Sequence, residues 1–256
     1  MSKWAVVTGA TAGIGESFTR ILASDGFSIV LVARDLDRMK ERAANLESQF
    51  KVQTAIIQAD LATDEGCAKV EKYIRENQIE VLINNAGFGI NKAFSVSDVN
   101  AEQQLLDVLV RTPMRLMHTV IPQMKERNSG SIINVSSVAG WIAGGTYSAS
   151  KSYLTVLSES LHTEMSGTGV KISALCPGFT RTEFHERGRM RMNGLPKFMW
   201  LSADRVVTQA WKENQNGKVL SIPGWQYVLL STVSRFGPRP LVRKLGMNVR
   251  VRQRQK

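Results

Sequence analysis

Short apolar runs alternate along this chain with longer stretches in which apolar residues recur every three or four positions. The runs at residues 4–8, 28–33, 52–59, 80–84, 131–135, 170–175 and 218–222 predict strands. The stretches at 16–24, 36–50, 64–76, 101–125 and 147–166 predict helices, the fourth as one long amphipathic element that carries Pro113 and Pro122. The strands are continuously apolar rather than alternating, as in a parallel sheet covered on both faces. Right-handed crossovers then make the fold α/β and doubly wound, with about seven strands. No repeat, linker or low-complexity segment interrupts the pattern, so residues 1–256 are expected to form one domain.

Composition and charge change the picture in two places. Only two cysteines occur, Cys67 and Cys176, far apart in the chain. They read as reduced thiols, and His118, His162 and His185 are too scattered for a metal site, so no metal is expected. With no leader-like start and no bilayer-length apolar run, the expected location is cytoplasmic. The formal net charge is +11, and it is uneven: residues 235–256 hold many Arg and Lys and no acid. That basic C-terminal extension could be a solvated tail, a subunit contact or a peripheral contact with anionic lipid through the apolar stretch 225–230 beside it. No recognition motif accompanies it, so nucleic acid is not expected as a partner.

Candidate chemistry begins after the first strand, where Thr8-Gly9-Ala10-Thr11-Ala12-Gly13-Ile14-Gly15 leads into a helix. Glycines at a strand–turn–helix junction let the backbone approach a pyrophosphate, and the helix start offers free N–H groups. After the second strand, Ala33 stands where a site selective for NAD usually has an acid. Arg34 follows, and its guanidinium suits a 2′-phosphate. The cofactor expected is therefore NADP(H) rather than NAD(H), with Asp35 as the residue that could turn to a ribose instead. Tyr147 and Lys151 lie four apart on a helix and share a face. An ammonium beside a phenol favours the phenolate, so Lys151 is expected to lower the pKa of Tyr147, which would act as general acid or base. Ser137 ends the fifth strand, where its hydroxyl could bind a carbonyl oxygen as charge develops.

Taken in order, these segments resemble the classical short-chain dehydrogenase/reductase family, which has a Rossmann-like fold. The resemblance rests on TGATAGIG at 8–15, Asp60-Leu61, NNAG at 84–87, NVSS at 134–137, YSASK at 147–151 and Pro177-Gly178 with Phe179-Thr180-Arg181-Thr182 after it. It covers most of residues 4–224. It implies Ser137, Tyr147 and Lys151 as catalytic residues, with Lys151 also holding the nicotinamide ribose. It implies cofactor contacts from Gly9, Thr11, Gly13, Ile14, Gly15, Arg34, Asp60, Leu61, Asn85, Ala86, Gly87, Tyr147, Lys151, Pro177, Gly178, Thr180 and Thr182. Asp60 is expected to cap the adenine. A homodimer or homotetramer is also implied.

Two departures stand out. Leu109 occupies the place of an asparagine that family members use to hold a relay water, and the loop from Ser137 to Tyr147 is short. Residues 183–201 are expected to form a mobile substrate lid. Phe184, Met190, Met192, Leu195, Phe198, Met199 and Trp200 make it apolar, while Arg187, Arg189, Arg191 and Lys197 make it basic. The small-molecule substrate expected is an apolar ketone or aldehyde, fatty, acyl or steroid-like. The competing reading is a dinucleotide-binding regulatory or scaffold protein without catalysis, for which Leu109 is the one supporting feature.

Overall fold

The computed structural model of the chain describes residues 3–188 and 196–244. In order come β1 (Trp4–Thr8), α1 (Gly13–Ser24), β2 (Ser28–Ala33), α2 (Leu36–Phe50), β3 (Thr54–Gln58), α3 (Asp64–Glu76) and β4 (Ile79–Asn84). Next are α4 (Val99–Leu106), α5 (Thr112–Glu126), β5 (Gly130–Val135), α6 (Gly145–Glu164) and β6 (Val170–Leu175). Then follow β7 (Thr180–Arg181), α7 (Phe184–Arg187), β8 (Leu201–Ser202), α8 (Ala203–Gln215), β9 (Leu220–Ser221) and α9 (Trp225–Phe236).

Seven strands form a parallel sheet in the order β3-β2-β1-β4-β5-β6-β9, the Rossmann-like architecture the pattern predicts. Side chains alternate across each strand. On β1, Ala5 and Val7 face one core with Phe18 and Leu22 of α1, Met39 of α2 and Trp211 of α8. Val6 faces the other, with Cys67 and Val70 of α3, Leu116 and Val120 of α5 and Leu154 of α6. Burying both faces makes most central strand positions apolar, which is why the strands read as apolar runs. The order of connection reverses between β1 and β4. Their carboxyl ends therefore diverge and leave a crevice, the usual place for a ligand in such a sheet.

The structure corrects several expected bounds. The first helix starts at Gly13, inside the glycine turn, rather than at Glu16. The third and last large-sheet strands shorten to Thr54–Gln58 and Leu220–Ser221. The expected single helix over 101–125 is two helices, α4 and α5, separated by a π turn at Asp107–Arg111. Pro113 supplies no N–H to the regular ladder, and the Thr112 N–H reaches back to the Asp107 carbonyl instead. Pro122 is tolerated within α5. Beyond Leu230 the apolar stretch continues as helix to Phe236, and residues 245–256 lie outside the described part.

Candidate active site

The crevice opens into a cavity of about 1020 Å³ that runs from the glycine turn to Tyr147 and Lys151. Gly9, Thr11, Gly13 and Ile14 line one end, Asp60, Leu61, Asn85, Ala86 and Gly87 its floor, and Pro177, Gly178, Thr180 and Thr182 its far wall. Gly9 and Gly13 have φ of +66° and +57°, a region that favours glycine. A Cβ at Gly9 would lie 2.8 Å from Asn85 Nδ2, and one at Gly13 would lie 2.8 Å from the Thr182 side chain. Ala12 caps α1 without a side-chain hydrogen bond, so the first turn offers its N–H groups to the cavity. This cradle, with a helix start at one end and a tyrosine–lysine pair at the other, fits a dinucleotide.

Gly15 does not line the cavity, in contrast to the expectation. It is buried behind the wall, where a Cβ would lie 2.1 Å from the Gly9 carbonyl oxygen and 2.4 Å from Asn85 Nδ2. Its role is to let α1 approach the turn. We expect Gly15→Ala to cost about 2–3 kcal/mol by overpacking, measured as the shift in urea midpoint.

Thr8 ties the floor together. Its Oγ1 donates to the Ile83 carbonyl and accepts from the N–H groups of Asn85 and Ala86, while Asn85 Nδ2 donates to the Thr8 and Gly9 carbonyls. Asn84 Nδ2 donates to Asn134 Oδ1, whose own amide donates to Ser158 Oγ. The NNAG turn and the NVSS strand are thus fixed to one another by buried side chains, not only by the sheet. Asp60 holds a local turn by accepting from the Ala62 N–H.

At the adenosine end, Arg34 is exposed at the cavity edge, and its guanidinium has no ion-pair partner among the described residues. Asp35 is the N-cap of α2 and accepts from the Arg38 N–H at 3.0 Å. A carboxylate occupied in capping leaves Arg34 as the side chain that can turn to a ligand. Arg38, which the sequence did not single out, makes a two-pronged pair with Glu183 at 3.0 and 2.7 Å, and the carboxylate raises its pKa. It joins α2 to Glu183, at the start of the segment expected to form the lid.

At the other end, α6 presents Tyr147 and Lys151 on one face. Lys151 is buried, and its Nζ donates to the Val135 carbonyl at 2.7 Å and sits 5.6 Å from the Tyr147 ring centroid. Burial pulls its pKa down to about 8. Burial pushes the Tyr147 phenol up to about 12, opposed by a hydrogen bond with Ser137. This reverses the expected lowering of the phenol. The ammonium sits 5.6 Å from the ring centroid and donates to a backbone carbonyl, and desolvation of the phenolate is the larger effect. The phenol is protonated at neutral pH, as tyrosine ordinarily is, and it can give its proton to an alkoxide, which is the stronger base.

The two neighbouring serines separate clearly. Ser136 is buried and bonded to the Lys151 carbonyl and to Thr155 Oγ1, both at 2.7 Å. Ser137 accepts from the Ala139 N–H at 3.1 Å, capping the 3₁₀ turn Val138–Trp141 that makes up part of the short loop. Ser137 therefore both caps and reaches the cavity beside Tyr147. Leu109 is buried in the π turn behind Gly87, where its Cδ2 would lie 2.8 Å from an added Cβ that is itself 3.9 Å from Lys151 Nζ. An apolar group here helps keep water from the amine.

Of the expected lid, Met190, Met192, Leu195, Arg189 and Arg191 lie outside the described residues. Phe184 lines the cavity, its ring centroid 5.9 Å from that of Tyr147. Trp200 packs on Phe179, also at 5.9 Å, and Met199 packs on the core, while Phe198 is exposed. β7 and β8 pair in parallel and close the base of this segment. Tyr227 of α9, missed in the sequence, clips it down. Its hydroxyl accepts from the Phe179 N–H and donates to the Met199 carbonyl.

A family model described as short chain dehydrogenase matches residues 3–192, nearly three-quarters of the sequence. This chain belongs to the short-chain dehydrogenase family. It is an oxidoreductase by family, and the cradle in the crevice fits a dinucleotide. A very-long-chain 3-oxoacyl-CoA reductase of Rattus norvegicus is 33% identical over 190 residues, covering 72% of this chain and 61% of that relative. The match thus spans less than two thirds of the relative's length. A short-chain dehydrogenase from Sphingobium yanoikuyae, solved in complex with NADPH, is 29% identical and superposes with a TM-score of 0.83 over 99% of this chain and 98% of its own. A bulky-bulky ketone specific alcohol dehydrogenase from Comamonas testosteroni, also 29% identical, gives 0.79 over 99% and 96%.

Proposed function

We propose that this protein is an NADP(H)-dependent reductase of bulky apolar ketones, with 3-oxoacyl thioesters as the foremost substrate class. The observation that carries the reading is the pairing of half-buried Tyr147 with buried Lys151 at the end of a cavity whose glycine cradle fits a dinucleotide. The first-turn N–H groups of α1 would hold the pyrophosphate, Asp60 would cap the adenine, and Lys151 would hold the nicotinamide ribose. The cofactor would supply a hydride to the carbonyl carbon. Ser137 binds the carbonyl oxygen as it gains charge, and Tyr147 gives it a proton. Lys151 steadies the phenolate left behind. Leu109 cannot hold a relay water through its side chain, so that proton is replaced by a route other than the family's asparagine. A homodimer or homotetramer is proposed from the family.

The 2′-phosphate reading rests on Arg34, free at the cavity edge while Asp35 caps α2. Charge-assisted hydrogen bonds of this kind contribute about 1.5–3 kcal/mol. We expect Arg34→Ala to weaken NADPH binding about 10–100-fold and NADH binding less than about threefold. Fluorescence titration with each cofactor reads this. Equal losses for both, or tighter NADH than NADPH binding in the parent, would move the assignment to Asp35.

The apolar substrate class is supported by Phe184 over Tyr147 and by the bulky ketone and 3-oxoacyl-CoA named for the relatives. A panel of ketones of rising chain length tests it. Activity confined to small sugars or polyols, unaffected by Phe184→Ala, would refute it.

A further inference from the structure

Helix α9 is turned inside out. Trp225, Val228, Leu229, Thr232, Val233 and Phe236 recur every three or four residues and share one face. That face is outward: Trp225 is 72% exposed, Leu229 60% and Phe236 80%. The buried face carries Tyr227, Ser231 and Ser234 instead. A surface helix ordinarily buries its apolar stripe, and this one offers it to the surroundings. The helix is firmly held from within. Tyr227 bonds to the backbone on both sides of the lid segment, and the ring fills the space beside Gly178, where an added Cβ would come within 2.0 Å of it.

We infer that this face of α9 seats the protein on an anionic lipid surface. The charge around it selects that occupant. Arg239, Arg243 and Lys244 are exposed just after the helix. Arg235 is not counted, since it pairs with Glu159 at 3.8 Å and lies over the Trp141 ring. Basic groups beside an apolar helical face are the pattern of an interfacial helix, in which aromatic and leucine side chains enter the acyl boundary and cations meet the headgroups. A second copy packed on the same face would bring two basic segments together, a like-charge contact that disfavours pairing. Tyr227 and Leu230 of the same helix line the cavity. Seating α9 on lipid therefore sets the cavity beside the acyl layer, where an apolar substrate would be taken up.

The test uses the full chain and vesicles of phosphatidylcholine, with or without phosphatidylglycerol. The protein is expected to sediment with the anionic vesicles at least tenfold more than with neutral ones, and to be released by added salt. Leu229→Glu with Val233→Glu should lower this partition at least tenfold while NADPH binding stays unchanged. Brominated acyl chains give a reading that needs no charged substitution. They should quench tryptophan emission of the parent, and less so in Trp225→Phe. Absence of partition, absence of quenching, or full partition by the double variant would each overturn the inference. So would a dimer that the double variant splits without any change in vesicle binding. Tyr147→Phe should bind vesicles as the parent does, so failure of the proposed reaction is read separately.

Discussion

Tyr147→Phe is expected to lower ketone reduction by about three orders of magnitude or more while NADPH binding stays within about threefold. Removing a positioned acid typically costs 10²–10⁴ in rate, and this substitution deletes only an oxygen. The ring remains against Phe184 and beside the Lys151 ammonium, so the cavity wall keeps its shape. Among the described residues Ser137 is the neighbouring hydroxyl, and while its oxygen accepts from the Ala139 N–H its own proton is directed to the Pro177 carbonyl at 3.4 Å. A steady-state rate beside a fluorescence titration separates the two quantities. A variant that keeps more than about a tenth of the parent rate would show that another group gives the proton.

Lys151→Met is expected to abolish turnover to a similar degree and to make the protein more stable at neutral pH. The lysine is buried with one backbone partner, and its pKa is lowered to about 8 from an ordinary value of about 10.5. The fold therefore bears a cost for the charged amine below about pH 8. Between about pH 8 and 10.5 the unfolded chain binds more protons than the folded one, so stability from this group rises with pH, and above that range the cost is gone. Each unit corresponds to about 1.4 kcal/mol, so the cost reaches about 3 kcal/mol. Losing the donor to the Val135 carbonyl takes back about 1–2 kcal/mol. The net gain of about 1–2 kcal/mol should raise Tm by about 3–6 °C at pH 7, and the gain should shrink as pH passes from 8 to 10.5. A variant less stable than the parent at pH 7 would show that the ammonium is better satisfied than its surroundings indicate.

The sheet was legible because burial on both faces leaves a simple mark, an apolar run between turn residues. The glycine turn, Tyr147 and Lys151 were legible because their chemistry depends on local spacing. What the sequence concealed lies in contacts across long separations. Gly15 sits in the same motif as Gly9 and Gly13, yet it lies outside the cavity lining and packs against the Gly9 carbonyl and Asn85, seventy residues away in the chain. The long helix broke because Pro113 acts on the preceding turn, and helical periodicity alone does not separate α from π. The phenol was expected to be lowered because spacing gives proximity of Lys151 and nothing of its desolvation or its bond to Val135. Tyr227 and Arg38 carry no motif. They gain their roles from the backbone at Phe179 and Met199 and from Glu183. The apolar stretch of α9 was visible, but its outward direction was not.

The most direct test of the account is transfer of label from NADPH carrying deuterium at the nicotinamide C4 position that is lost as hydride, with each face labelled in turn. The acceptor is a long-chain 3-oxoacyl thioester, and the product alcohol is read by mass spectrometry. The account predicts deuterium on the carbinol carbon from one labelled face, and none when Tyr147 is Phe. Tight NADPH binding with no label in this or any other ketone tried would contradict it and leave a dinucleotide-binding protein without this chemistry.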